Sequence, residues 1–196
     1  GLTAATGMDA LTHAIEGYTT LAAWELADTL NLKAIELIGR SLRAAVNNDP
    51  KGREDMALGQ YMTGMAFSNV GLGVVHGMAH PLSAFYGIPH GVANAVLLPV
   101  MLEAYGPAVY RRLAELADVV GLCPAGSQAE KARAFIAAIY DMNRATGIPT
   151  GFDCIRTEDL PQMAAWAEAE ANPVYPVPVI FDKDRFIRVA KRVMLS

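Results

Sequence analysis

Apolar positions recur at helical spacing over most of the chain. Between Trp24 and Val46 they fall at Leu26, Leu30, Ile35, Leu37, Ile38, Leu42 and Val46, close to the period of an amphipathic helix. Asn47-Asn48-Asp49-Pro50 interrupts the pattern as a turn. A further helix is predicted from near Gly52 through Met56, Tyr61 and Met65 to Val70. Upstream, Thr6 or a neighbour is expected to cap a helix carrying Asp9, His13 and Glu16. Gly71-Leu72-Gly73 permits a break, after which a helix resumes through His76 and His80. Residues 86–91 read as a loop, because Pro89 disfavours helix immediately before it. Helices are then predicted over residues 92–105, with a kink or an end at Pro99, and over 108–120, 128–146, 162–171 and 182–194. Thr157 to Pro161 reads as the cap and first turn of the penultimate one. Residues 172–178 read as extended. Only residues 177–181 resemble a strand, and one strand makes no sheet. The pattern therefore predicts an all-α, multi-helix fold over residues 1–196 as one domain.

Composition supports a large core: 53% of residues are hydrophobic and 18% charged, which excludes a disordered chain. The net charge of -4, with no dense Lys/Arg stripe, argues against a nucleic-acid partner. Residues 56–102 contain no Asp, Glu, Lys or Arg. A membrane span is not the reading of this stretch. Gln60, Asn69, His76, His80, Pro81, Pro89, His90, Asn94 and several glycines interrupt it, so no window of about 20 residues is uniformly apolar. It is expected to form the buried centre of a cytoplasmic protein. Cys123 and Cys154 read as reduced thiols, with a single bridge as the alternative. The N-terminus has no signal-peptide pattern and no Met, and it opens almost at once on a helix signal; a fragment of a larger chain is the expectation.

Three of the four histidines lie in the charge-free stretch. Asp9 and His13 are separated by four residues, so on a helix both side chains face one spot. His76 and His80 repeat that spacing, and His90 follows a proline in a glycine-flanked loop. Imidazoles buried without charged partners are costly, and a metal ion satisfies several at once. Nitrogen and oxygen donors suit Zn or Fe(II). Five candidates exceed the usual four ligands, and spacing does not say which one is spare. Competing chemistries lack their signatures. Gly71-x-Gly73 is no dinucleotide fingerprint, and neither a phosphate-binding P-loop nor a Gly-x-Ser-x-Gly elbow is present. On pattern alone Phe67 reads as core.

At these residues the sequence resembles a known family. Ala5-Thr6-Gly7-Met8-Asp9-Ala10-Leu11-Thr12-His13-Ala14-Ile15-Glu16-Gly17-Tyr18 resembles the opening of the C-terminal domain of iron-containing (group III) alcohol dehydrogenases. The segment holding Gly71-Leu72-Gly73-Val74-Val75-His76-Gly77-Met78-Ala79-His80-Pro81 and Pro89-His90-Gly91 is similar to that family's second signature. Met56 to Tyr61 and Phe67 to Val70 favour its lactaldehyde reductase (1,2-propanediol oxidoreductase) branch. The resemblance implies a dehydroquinate synthase-like helical C-terminal domain. It implies Asp9, His13, His76 and His90 as metal ligands, with Fe(II) as the metal and Zn or Mn as alternatives. It makes His80 a catalytic relay and cofactor contact, and Phe67 a substrate contact. The implied reaction is reversible hydride transfer between a small alcohol or diol and NAD(P). The α/β nucleotide-binding half, with its Gly-Gly-Gly-Ser phosphate loop, does not occur in this sequence, so the resemblance implies a chain inactive by itself and a homo-oligomer at full length. Two other readings stand beside it: a non-catalytic metal-binding helical module, and a Zn-dependent, glycerol dehydrogenase-like enzyme.

Overall fold

The structure, a computed structural model, describes residues 1–195. Among them are nine α-helices: α1 Leu2–Thr19, α2 Glu25–Val46, α3 Pro50–Val70, α4 Val74–Tyr86, α5 His90–Tyr105, α6 Tyr110–Val119, α7 Gln128–Thr146, α8 Leu160–Ala171 and α9 Lys183–Arg192. Short 3-10 turns, Gly106–Val109 and Thr157–Asp159, lead into α6 and α8. No strand forms among the described residues. The strand-like segment at 177–181 is a bend and coil, and one isolated bridge joins Phe152 to Met194.

Local chemistry sets most helix ends. Asp49 accepts from the Gly52 N–H at 2.7 Å and Pro50 sits in the first turn, so α3 starts two residues earlier than predicted. Ser127 and Glu130 close a capping box on α7, and Gly147 ends it in the left-handed region. Two expected caps are absent. Helix α1 starts at Leu2, so Thr6 lies inside it and bonds back to the Leu2 carbonyl. Thr157 belongs to a 3-10 turn, and Asp159 turns its carboxylate to Tyr86 and Arg156 rather than to the α8 N-terminus.

Helix α5 is the centre of the molecule. Its residues 93–102 are all buried, as expected of a helix apolar on every side. Pro99 neither ends it nor leaves a polar group stranded. A proline removes the N–H that would bond the carbonyl four residues back, and the Asn143 amide of α7 donates to that carbonyl, Ala95 O, at 2.7 Å. The continuous helical run His90–Val119 is long and apolar enough to cross a membrane by length and composition. In this fold 67% of its apolar window is buried against other helices. Helix α1 packs on α2, α3 and α5, α4 packs on α5 and α8, and α6 pairs with α7. Cys123 and Cys154 are both free and exposed, which removes the bridge alternative.

Candidate metal centre

Three helices deliver the predicted residues to one place. Asp9, His13 and Glu16 share one face of α1, and His76 and His80 share one face of α4. His90 is the first residue of α5, not part of the preceding loop; Pro89 occupies the cap position, so the helix itself aims the ring. Gly91 permits the approach, since a Cβ there would lie 2.2 Å from the Ala5 carbonyl oxygen on α1. Asp9 Oδ1 lies 3.4 Å from His90 Nε2 and 3.7 Å from His76 Nε2. Ligand atoms of Asp9, His76 and His90 all fall within 4.8 Å of one another. His13 lies beside this trio without joining it inside that distance. Its Nδ1 donates to the Asp9 carbonyl at 3.0 Å, and its ring meets that of His76 edge-on at 4.0 Å. Phe67 of α3 packs its ring 4.4 Å from His13, at the edge of the site.

Two residues that the sequence pattern did not single out organise the centre. Glu16 is buried, and its carboxylate accepts from the Gly73 and Val75 N–H groups at 3.1 and 2.8 Å. Helix α4 has no side-chain cap of its own, so Glu16 supplies one across the fold, its charge opposed to the positive end of the helix dipole. The same carboxylate sits 2.6 Å from His76 Nδ1. A carboxylate only accepts, so Nδ1 carries a proton and donates to Glu16, which turns Nε2 toward Asp9. The signal for Glu16 was its position seven residues after Asp9, on the same helical face. Asn94, fully buried on α5, gave no such signal.

Asn94 also tests whether a cation fits. Its Nδ2 lies 2.6 Å from Asp9 Oδ1 and 3.0 Å from both His76 Nε2 and His90 Nε2. An amide nitrogen has two protons, and here it is crowded by a carboxylate oxygen and two imidazole nitrogens. Its Oδ1 is buried without a hydrogen-bond partner. A carboxylate and two imidazole nitrogens converging on one poorly supplied point form a donor set that fits a divalent transition metal.

The titratable groups feel each other strongly. Burial raises the Asp9 carboxyl pKa, but the hydrogen bond with His76 and the His13 charge outweigh it and hold the group below its usual value. Burial lowers His76, yet the Glu16 charge and the Asp9 hydrogen bond carry it up to about 9. Burial, with the charge of His76 beside it, holds His13 low. For His90, burial again leads, aided by the charges of His76 and His80. His80 stands at the open side, 41% exposed, its ring stacked on His90 with centroids 5.2 Å apart.

Known proteins share this chain's sequence and fold. The family profile described as Fe-containing alcohol dehydrogenase family, C-terminal, matches residues 3–194. The chain is 52% identical over 166 residues to lactaldehyde reductase of Escherichia coli (strain K12), covering 83% of this chain and 44% of that protein. It is 41% identical over 197 residues to alcohol dehydrogenase 4 of Saccharomyces cerevisiae (strain YJM789), covering 97% and 50%. Among solved structures, a 1,3-propanediol oxidoreductase superposes with a TM-score of 0.94 at 38% identity, over 98% of this chain and 52% of that one. An alcohol dehydrogenase from Oenococcus oeni gives 0.93 at 36%, over 98% and 51%. The chain thus spans about half the length of the relatives it matches. A profile match from residue 3 to 194, on a helical fold that carries the motif histidines to one spot, means that this chain belongs to the Fe-containing alcohol dehydrogenase family and corresponds to its C-terminal part.

Proposed function

We propose that this chain is the metal-bearing half of an NAD(P)-dependent oxidoreductase that interconverts small alcohols or diols and aldehydes in the cytoplasm. The observation that carries this reading is the convergence of Asp9, His76 and His90 around one point, on a chain of this family. Asp9, His13, His76 and His90 would hold the metal, His13 contributing the ring nitrogen that does not bond the Asp9 carbonyl. Bound there, Fe(II), or Zn or Mn in its place, supplies Lewis acidity to the oxygen of the alcohol or carbonyl. The nicotinamide, bound mainly by a nucleotide-binding half outside this sequence, supplies the hydride acceptor or donor.

The remaining work falls to this chain's own side chains. Glu16 keeps the His76 lone pair pointed inward. Phe67 forms an apolar wall against which a short alkyl chain rests, favouring small substrates and excluding water. The stretch 56–102, free of Asp, Glu, Lys and Arg, forms α4 and most of α5 and lowers the local dielectric, which strengthens the site's electrostatics. His80, at the open rim, moves the hydroxyl proton between substrate and solvent. The likeness to lactaldehyde reductase favours a diol or hydroxyaldehyde as the substrate class.

The test separates ligand from relay. Elemental analysis of anaerobically purified protein is expected to show about one metal per chain in the wild type and in His80→Ala, and little in His76→Ala. Turnover of the intact enzyme is expected to fall in both variants. Equal loss of metal in both would make His80 a ligand and overturn the division.

A further inference from the structure

Helix α8 faces α4 through three contacts. Gly77 lies against the Ala167 carbonyl and Ala171, Phe85 meets Trp166 edge-on at 5.0 Å, and His80 faces Glu170. The small residues at the first contact let the helices approach closely enough for the third: His80 Nδ1 is 2.7 Å from Glu170 Oε1. The Tyr175 hydroxyl donates to that same oxygen at 2.6 Å. Tyr175 is itself firmly placed. Its N–H donates to the Ala171 carbonyl, and the next residue's carbonyl, Pro176 O, accepts from the Leu21 N–H and the Thr20 hydroxyl at the end of α1. Burial and the bond to Glu170 push the Tyr175 phenol above its ordinary range, so it stays a proton donor.

We propose that Glu170 and Tyr175 are positioning residues for His80: Glu170 accepts from Nδ1–H and so selects the tautomer with its lone pair on Nε2, and Tyr175 locks the Glu170 carboxylate in place. This rests on the reading of His80 as a proton relay. The physical need is specific. An unconstrained imidazole prefers its proton on Nε2, which would leave the ring unable to accept there. A carboxylate at 2.7 Å reverses that preference and stops the half-exposed ring from turning. Neither residue touches Asp9, His76 or His90 through a hydrogen bond, so their effect is separable from metal retention.

The experiment uses the intact polypeptide that carries this chain, loaded with Zn and labelled with 15N-histidine. The His80 signals are identified by their loss in His80→Asn. In the wild type, His80 is expected as the Nδ1–H tautomer. Glu170→Ala is expected to shift it toward Nε2–H and to lower kcat about tenfold, with zinc content unchanged. Glu170→Gln, whose amide oxygen still accepts from Nδ1–H, should restore the tautomer and most of kcat. Tyr175→Phe should lower kcat about two- to threefold without changing zinc content. A wild-type tautomer in Glu170→Ala, or an unchanged kcat there while His80→Asn loses activity, would overturn the proposal. If His80→Asn keeps full kcat, the relay reading fails, while a tautomer shift in Glu170→Ala still supports the positioning role. Should Glu170→Ala not fold, a wild-type kcat in Tyr175→Phe is evidence against the lock.

Discussion

Glu16 concentrates more demands than any other side chain of the site. It is nearly inaccessible, takes two N–H bonds from the start of α4 and fixes the His76 ring. Removing it leaves two buried backbone donors and an imidazole without partners. Glu16→Ala is therefore expected to cost about 3 kcal/mol, read from a denaturant melt. Metal affinity should fall about 10- to 100-fold as the ring loses its orientation. An unchanged melt would mean water replaces the carboxylate without loss. Asp9 and His76 were legible from spacing and charge depletion. The role of Asn94 was not, because nothing local distinguishes an asparagine buried for packing from one set among a carboxylate and two imidazoles.

At the scale of elements, two contacts decide the geometry. The start of α5 lies against α1 because Gly91 has no Cβ to meet Ala5. Gly91→Ala should push His90 away from Asp9, costing about 2 kcal/mol of stability and weakening metal binding, checked by thermal melting and metal titration. The α2–α3 hairpin is held by Asp55 of α3, which accepts from Ser41 and Arg40 of α2 at 3.0 and 3.1 Å and pairs with Lys51. The bonds from Lys51 and Ser41 hold its carboxyl down at about 2. A carboxylate depressed in the folded state stabilises the fold above its unfolded value near 4, and loses that contribution as pH falls toward 2. Asp55→Asn should therefore lower the melting temperature at pH 7, with the gap from wild type closing between about pH 4 and pH 2. A gap of constant size would assign the effect to packing instead.

For the molecule as a whole, the proposed reaction needs more than these residues. The chain covers about half of relatives such as lactaldehyde reductase and alcohol dehydrogenase 4. The 196-residue chain alone is expected to bind metal but not to reduce NAD(P) with a small alcohol, measured by nicotinamide absorbance. Adding the nucleotide-binding half should produce turnover. Oxidation of propanediol by the chain alone would overturn this division of labour.

Several features of this protein are local and were readable without a fold. The 3.6-residue rhythm of residues 24–46 defined α2, Asn47-Asn48-Asp49-Pro50 marked the turn before α3, and the four-residue spacing of Asp9 and His13 is a property of any helix. The run Val177-Pro178-Val179-Ile180-Phe181 resembled a strand only by its β-branched and aromatic content, which carries no information about a pairing partner. What only the tertiary structure decided are events between elements far apart in the chain. Glu16 caps a helix that begins 58 residues later, Asn143 serves the carbonyl freed by Pro99, and Glu170 meets His80 across the α4–α8 contact. Each satisfies a buried polar group whose need is visible locally but whose partner is chosen by packing. The same holds for the centre itself: spacing placed Asp9, His13 and His76 on helices and left His90 in a loop, and the close approach of α1, α4 and α5 brought Asp9, His76 and His90 within 4.8 Å.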